Sequence, residues 1–162
     1  MTGFSLLELV MVIILLSIAA AVAAPFIANG FKAYFTGRDL VETDWQARVA
    51  LERITRELRT VRAPADLSIL SASDLTFIDI DGNSIRYCMG AVGTCSGASG
   101  ELTRNAQPLA TGISGLSFSY LTKAAASTVT PSQVFYVIVD FTATQGLNSR
   151  AYQATISPRN FP

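Results

Sequence analysis

Three small sets of residues carry most of the chemistry open to this chain. Glu8 stands near the start of an otherwise greasy segment: Leu9 to Phe31 holds no charge, and the run ends at Lys32. A carboxylate in such a place is costly in lipid and by default marks a function with a partner. In low dielectric an opposite charge attracts it strongly, while either charge alone is penalised. Cys88 and Cys95 are the only cysteines, too few for a structural zinc site by themselves. So close a pair beyond an apolar segment reads as a disulfide in an oxidising compartment, or else as two free thiols in a flexible loop. Asp79, Asp81 and Asn83 alternate as calcium ligands do. The EF-hand order wants glycine one place after the third ligand, however, and Gly82 precedes Asn83, so a turn is the expected role.

Composition narrows the rest. The 162 residues carry twelve basic against twelve acidic side chains. No basic patch and no interleaving of aromatic with basic residues points to nucleic acid. Histidine is absent, which removes the commonest general base and the commonest metal ligand. There is no Gly-rich phosphate loop and no nucleophile elbow. The expectation is a chain that is not an enzyme and that uses no cofactor and no metal.

Two patterns must position these residues. The twenty-three residues from Leu9 to Phe31, at ~1.5 Å each, make about 35 Å of helix, against a hydrocarbon core of roughly 30 Å. Leu40, Ala47, Leu51, Ile54, Leu58 and Val61 then recur at the spacing of one buried helix stripe. Arg38/Glu42, Asp44/Arg48, Glu52/Arg56 and Arg53/Glu57 lie four apart on the exposed faces. Pro64 supplies the stop. One helix is therefore predicted from about Phe4 to about Arg62, interrupted or kinked near Pro25 and Gly30 because proline removes a backbone donor. Beyond it the period becomes two, as in Leu116, Phe118 and Tyr120, or Phe135, Val137, Val139 and Phe141, or Tyr152, Ala154 and Ile156. Residues 134–144 and 151–157 read as one hairpin. Leu75–Ile80 and Ile85–Met89 read as another, turned by Asp81-Gly82-Asn83, with loops over Gly90–Gly100 and Lys123–Gln133. A helix with one apolar stripe over half-buried strands makes an α+β fold, the helix packed on an antiparallel sheet.

Met1-Thr2-Gly3-Phe4-Ser5-Leu6-Leu7-Glu8-Leu9-Val10 resembles the processing site of type IV prepilins and pseudopilins. In that family a dedicated peptidase cuts after the glycine and methylates the new N-terminal amine, and a glutamate follows four residues after the new N-terminus. Gly3, Phe4 and Glu8 fall in those places, and Pro25 matches a proline that many pilins carry in the same helix. The leader, Met1–Gly3, is shorter than usual and has no Lys or Arg. More diffusely, residues 47–59, 102–104, 109–110 and 113–120 look like the larger minor pilins. The likeness is closest to the MshO-type proteins, with J-type pseudopilins and PilW-type minor pilins behind. This resemblance implies a leader over residues 1–3, a transmembrane polymerisation helix over 4–31 and a periplasmic head over 32–162. It implies a single-pass protein of the bacterial inner membrane, possibly incorporated into a pilus or pseudopilus. Its partners would be the prepilin peptidase, the inner-membrane assembly platform and other pilin or pseudopilin subunits. Glu8 would pair with the free amine of Phe4 on a neighbouring subunit. Lys32 and Arg38 flank the apolar run on the side placed outside, against the positive-inside bias, so the orientation is implied by the resemblance alone.

Other readings stand beside this one. A secretory signal peptide would use Ala21-Val22-Ala23 as its cleavage site, but its n-region should be basic and here it is acidic. A plain signal anchor leaves Glu8 unexplained. A signal-anchored periplasmic enzyme lacks a visible catalytic constellation, and a pseudopilin of type II secretion shares the features of a minor pilin. On a helical wheel Val41, Trp45 and Val49 lie opposite the apolar stripe. Either the sheet or a loop folds over Trp45, or these residues are a contact between subunits, where aromatics are enriched.

Overall fold

The computed structural model describes residues 5–161. It is an α+β protein with one long N-terminal helix and antiparallel sheets. Helix α1 runs Leu6–Leu58 without a break, Pro25 included. Of the expected interruption or kink near Pro25 and Gly30, the interruption is absent: helical conformation carries through both residues. Residues up to Asp39 form one compact unit and Leu40–Pro162 a second.

The helix ends earlier than the expected Arg62. Its last turn tightens, with the Thr60 amide donating to the Glu57 carbonyl at 2.9 Å and the Val61 amide to that of Leu58 at 3.4 Å. The chain then leaves for the sheet. Val61 bridges Asp79, and the Arg62 amide donates to the Ile78 carbonyl at 3.2 Å. The buried side chain of Val61 is thus reached from a β-bridge, not from the last helical turn. Pro64 opens a short 3-10 turn, Pro64–Asp66, where its missing amide costs nothing.

The strands form two sheets where one was expected. Strands β1 (Leu67–Leu70), β2 (Asp74–Ile78), β3 (Ser84–Met89), β4 (Glu101–Arg104) and β5 (Gln107–Thr111) pair consecutively, all antiparallel. Strands β6 (Ile113–Leu121), β7 (Tyr136–Gln145) and β8 (Asn148–Ile156) make the second sheet. Gly112 joins them. Its φ of +72° and the Thr144 carbonyl oxygen, 2.9 Å from where a Cβ would stand, leave room for glycine alone. The β7–β8 hairpin is longer than expected, since Gln145 pairs with Asn148 and only Gly146-Leu147 turn the chain. Gly146, at φ +60°, supplies the positive φ that two-residue turns demand.

The core lies between the second half of α1 and the two sheets. Ala47, Ala50, Ile54 and Leu58 come from the helix; Phe77, Tyr87 and Leu102 come from the first sheet, and Phe118, Val137, Val139 and Phe141 from the second. Leu51, placed on the stripe by its spacing, is only half-buried and packs at the edge of the core, while Ala50 takes the buried position. Small side chains at 47 and 50 let the sheets come close to the helix backbone.

Candidate assembly surfaces

The first unit is apolar and bare. Its helix contains an 18-residue window of mean hydropathy 2.8, none of it buried within the protein, which is long and apolar enough to cross a membrane. Glu8 stands in the first turns of α1, exposed, between Leu7 and Leu9. Gly3 and Phe4 lie outside the described residues. The Ser17 hydroxyl donates to the Ile14 carbonyl at 2.8 Å, so this polar group is satisfied without water, as a lipid environment requires. Further along, Gly30 leaves a notch of about 460 Å³ walled by Phe26, Ile27, Phe31 and Tyr34.

On the second unit the helix turns Val41, Trp45 and Val49 away from its own core. Val41 is 71% exposed, Trp45 63% and Val49 38%, so neither sheet nor loop folds over the indole. These three residues share one exposed face.

Side-chain networks that sequence spacing does not reveal fix how that helix half sits on the sheets. Of the i,i+4 pairs open to α1, Asp44–Arg48 closes at 2.8 Å and Arg53–Glu57 at 3.0 Å. Each acid is then also met from a sheet. Glu57 accepts Arg104 Nε on both oxygens at 3.0 and 2.9 Å, and the Tyr87 hydroxyl at 2.6 Å. Burial works against the charged carboxylate, but the hydrogen bonds from Arg104, Tyr87 and Arg53 outweigh it and hold Glu57 below its usual range. The same burial, with the neighbouring carboxylate, pushes the Tyr87 phenol up. Asp44 accepts from Tyr152, Arg48 and Arg150, and in that order of weight Tyr152 and Arg48 draw it from 3.8 down to about 2. Only the arginine four residues away was legible for either acid; the partners at 87, 104, 150 and 152 are set by how the strands cross the helix.

The Glu57 cluster predicts an acid-sensitive dock. A lowered folded pKa contributes stability that is full above the ordinary value of 4.5 and is lost as pH falls through the folded value. Glu57→Gln should cost about 1.5–3 kcal/mol at neutral pH, the range for hydrogen bonds to a charged group. The gap between wild type and variant should close as the pH is taken below 4.5, followed by thermal unfolding. A gap independent of pH would assign the loss to packing.

Cys88 and Cys95 form a disulfide, Cα to Cα 5.9 Å, tying β3 to the loop before β4. Beneath it Thr103 is fully buried, and its hydroxyl donates to the Cys88 carbonyl at 3.2 Å. Closing this loop constrains the unfolded chain by about 2–3 kcal/mol in the entropy estimate. Replacing both cysteines with serine should lower stability by about that amount, read from denaturant midpoints, and reductant should do the same to the native chain. An unchanged midpoint would show the bridge to be dispensable.

The Asp79 segment is a turn. Asp79 Oδ1 accepts the amides of Asp81 at 3.0 Å and Asn83 at 2.8 Å, and Oδ2 accepts the Asn83 side-chain amide at 3.1 Å. The backbone amide of Asn83 is the chief cause holding this carboxyl below its usual range. Both oxygens are spent on the hairpin. Among the described residues no group of three or more His, Cys, Asp or Glu side chains is arranged to hold a metal ion.

No protein-family model matches this chain, and a search of curated proteins returns no match. The chain is thus characterised by its geometry: an apolar helix bearing one acid, continuous with a helix that docks on two antiparallel sheets and leaves an aromatic face uncovered.

Proposed function

We propose that this chain is a minor type IV pilin-like structural subunit, held in the bacterial inner membrane and incorporated into a pilus. In this reading the peptidase cuts after Gly3 and methylates the amine of Phe4. The single observation that carries the reading is Glu8 inside an uncharged helical segment that continues, within one α-helix, into an α+β head. A plain membrane anchor has no use for that acid, whereas a subunit that must align with its neighbours does, because a buried opposite charge rewards one register. The fully exposed apolar surface of the first unit and the uncovered Trp45 face support the same conclusion, since both offer area to neighbouring subunits.

The N-terminus provides the test. Mass spectrometry of the protein from membranes of cells carrying the peptidase should find a chain starting at Phe4 with one added methyl group. Gly3→Leu should block the cut. An intact Met1, or a start at Ala24, would overturn the proposal. A processed chain whose loss abolishes secretion of folded proteins, with pili unaffected, would make it a pseudopilin.

A further inference from the structure

The unit Leu40–Pro162 contains nine arginines. Six are ion-paired to Asp44, Glu57, Asp66 or Asp74. Arg56, Arg59 and Arg159 are the remaining three, with no carboxylate partner among the described residues. All three line the same groove, about 690 Å³ in volume. Glu52 is the one carboxylate lining the groove with them, and among the described residues no ion pair joins it to any of the three, so three guanidinium groups face one acid.

The groove is held in shape by the chain. Arg56 lies in the last turn of α1 and Arg59 just past its end, where the Arg59 amide still donates to the Thr55 carbonyl at 3.3 Å, and both side chains line the groove. Arg159 is brought to them by the C-terminal tail: its amide donates to the Arg59 carbonyl at 3.3 Å, and the Asn160 side chain donates to the Val61 carbonyl at 3.0 Å. Phe161 packs against the core beyond them. Between the arginines the surface is partly apolar, with Ile80 57% exposed and Leu51 half-buried. Glu52 is the one acid on the rim.

We propose that this groove binds an acidic peptide segment of a partner protein, with carboxylates on the guanidinium forks and an apolar side chain on Ile80. Planar guanidinium groups match carboxylates with two parallel hydrogen bonds. A lone inorganic anion would leave the apolar part of so large a groove in water, and Glu52 repels a doubly charged phosphate more than a single carboxylate. The inference does not depend on the subunit reading, because it requires only an acidic partner.

The full chain in neutral detergent is titrated against a short labelled peptide of alternating glutamate and leucine, with fluorescence anisotropy as the readout. Saturable binding is expected, weaker by about tenfold or more for the glutamine–leucine peptide and for Arg56→Gln/Arg59→Gln. Arg159→Gln should weaken it less, and Lys123→Gln, outside the groove, not at all. Thermal unfolding without peptide checks that the variants fold; removing unpaired like charges should leave the midpoint unchanged or raised. Equal binding of the glutamine peptide, or an undiminished double variant, would overturn the proposal. So would displacement by inorganic phosphate as effective as by unlabelled peptide, which would assign the groove to simple anions.

Discussion

Replacing Glu8 with leucine should leave the chain in the membrane and take it out of the filament. Insertion improves if anything, because replacing the acid removes a charge from the apolar end of the helix. Assembly suffers for the opposite reason. In the proposed role Glu8 faces the positively charged amine of a neighbour's Phe4, and removing one partner of a buried pair costs about 3–5 kcal/mol, since the other charge is left stranded. Over successive contacts that loss should reduce incorporation to near background. Comparing the variant in membrane and sheared-filament fractions separates the two effects. If Glu8→Leu assembles as well as wild type, the carboxylate has some other role. Loss from the membrane fraction would instead mean that Glu8 serves targeting.

Leu58→Ala should cost the head about 2–5 kcal/mol, whereas Trp45→Ala should cost no more than about 0.5 kcal/mol. Leu58 is fully buried at the end of the stripe, and truncating it leaves a cavity that the helix and two sheets cannot close. Trp45 is 63% exposed and contributes little to its own fold. Leu51→Ala should fall between them, because Leu51 packs only at the edge of the core. All core residues lie at or beyond Ala47, so a soluble fragment beginning at Lys32 is suited to the measurement by thermal unfolding. The full-length variants should then rank differently in filament yield: Trp45→Ala is expected to reduce it despite a stable head. A Trp45→Ala head as unstable as Leu58→Ala would place the indole in the core and remove this face from the assembly.

The single-residue periods were legible without coordinates. Alternation along β6 and β7 and the spacing of Ala47, Ile54 and Leu58 each reflect one element burying one face, which is a local property of the chain. The turns at Gly82 and Gly146 were legible for a similar reason, since a positive φ selects the residue. The helix end was misjudged because Val61 keeps the helical spacing while its backbone is claimed by a bridge to Asp79. Likewise β1, the β4–β5 hairpin and the division into two sheets were missed. They depend on pairings between strands that are short and only weakly alternating, such as Gln107–Thr111 with its Pro108.

By itself the sequence determined the apolar helix with its one acid, the helix stripe with Trp45 placed opposite it, and the strand alternation behind the α+β class, because each is a period along a single element. That nothing covers Trp45 and that Cys88 bonds to Cys95 were decided by the tertiary structure. Tertiary structure alone decided that Glu57 meets Tyr87 and Arg104, that Asp44 meets Arg150 and Tyr152, and that Arg159 joins Arg56 and Arg59. The physical reason is the separation of these partners, from 30 to 108 residues for the two acids. Which side chains meet across such distances depends on how helix, sheets and C-terminal tail pack, and no local period encodes it.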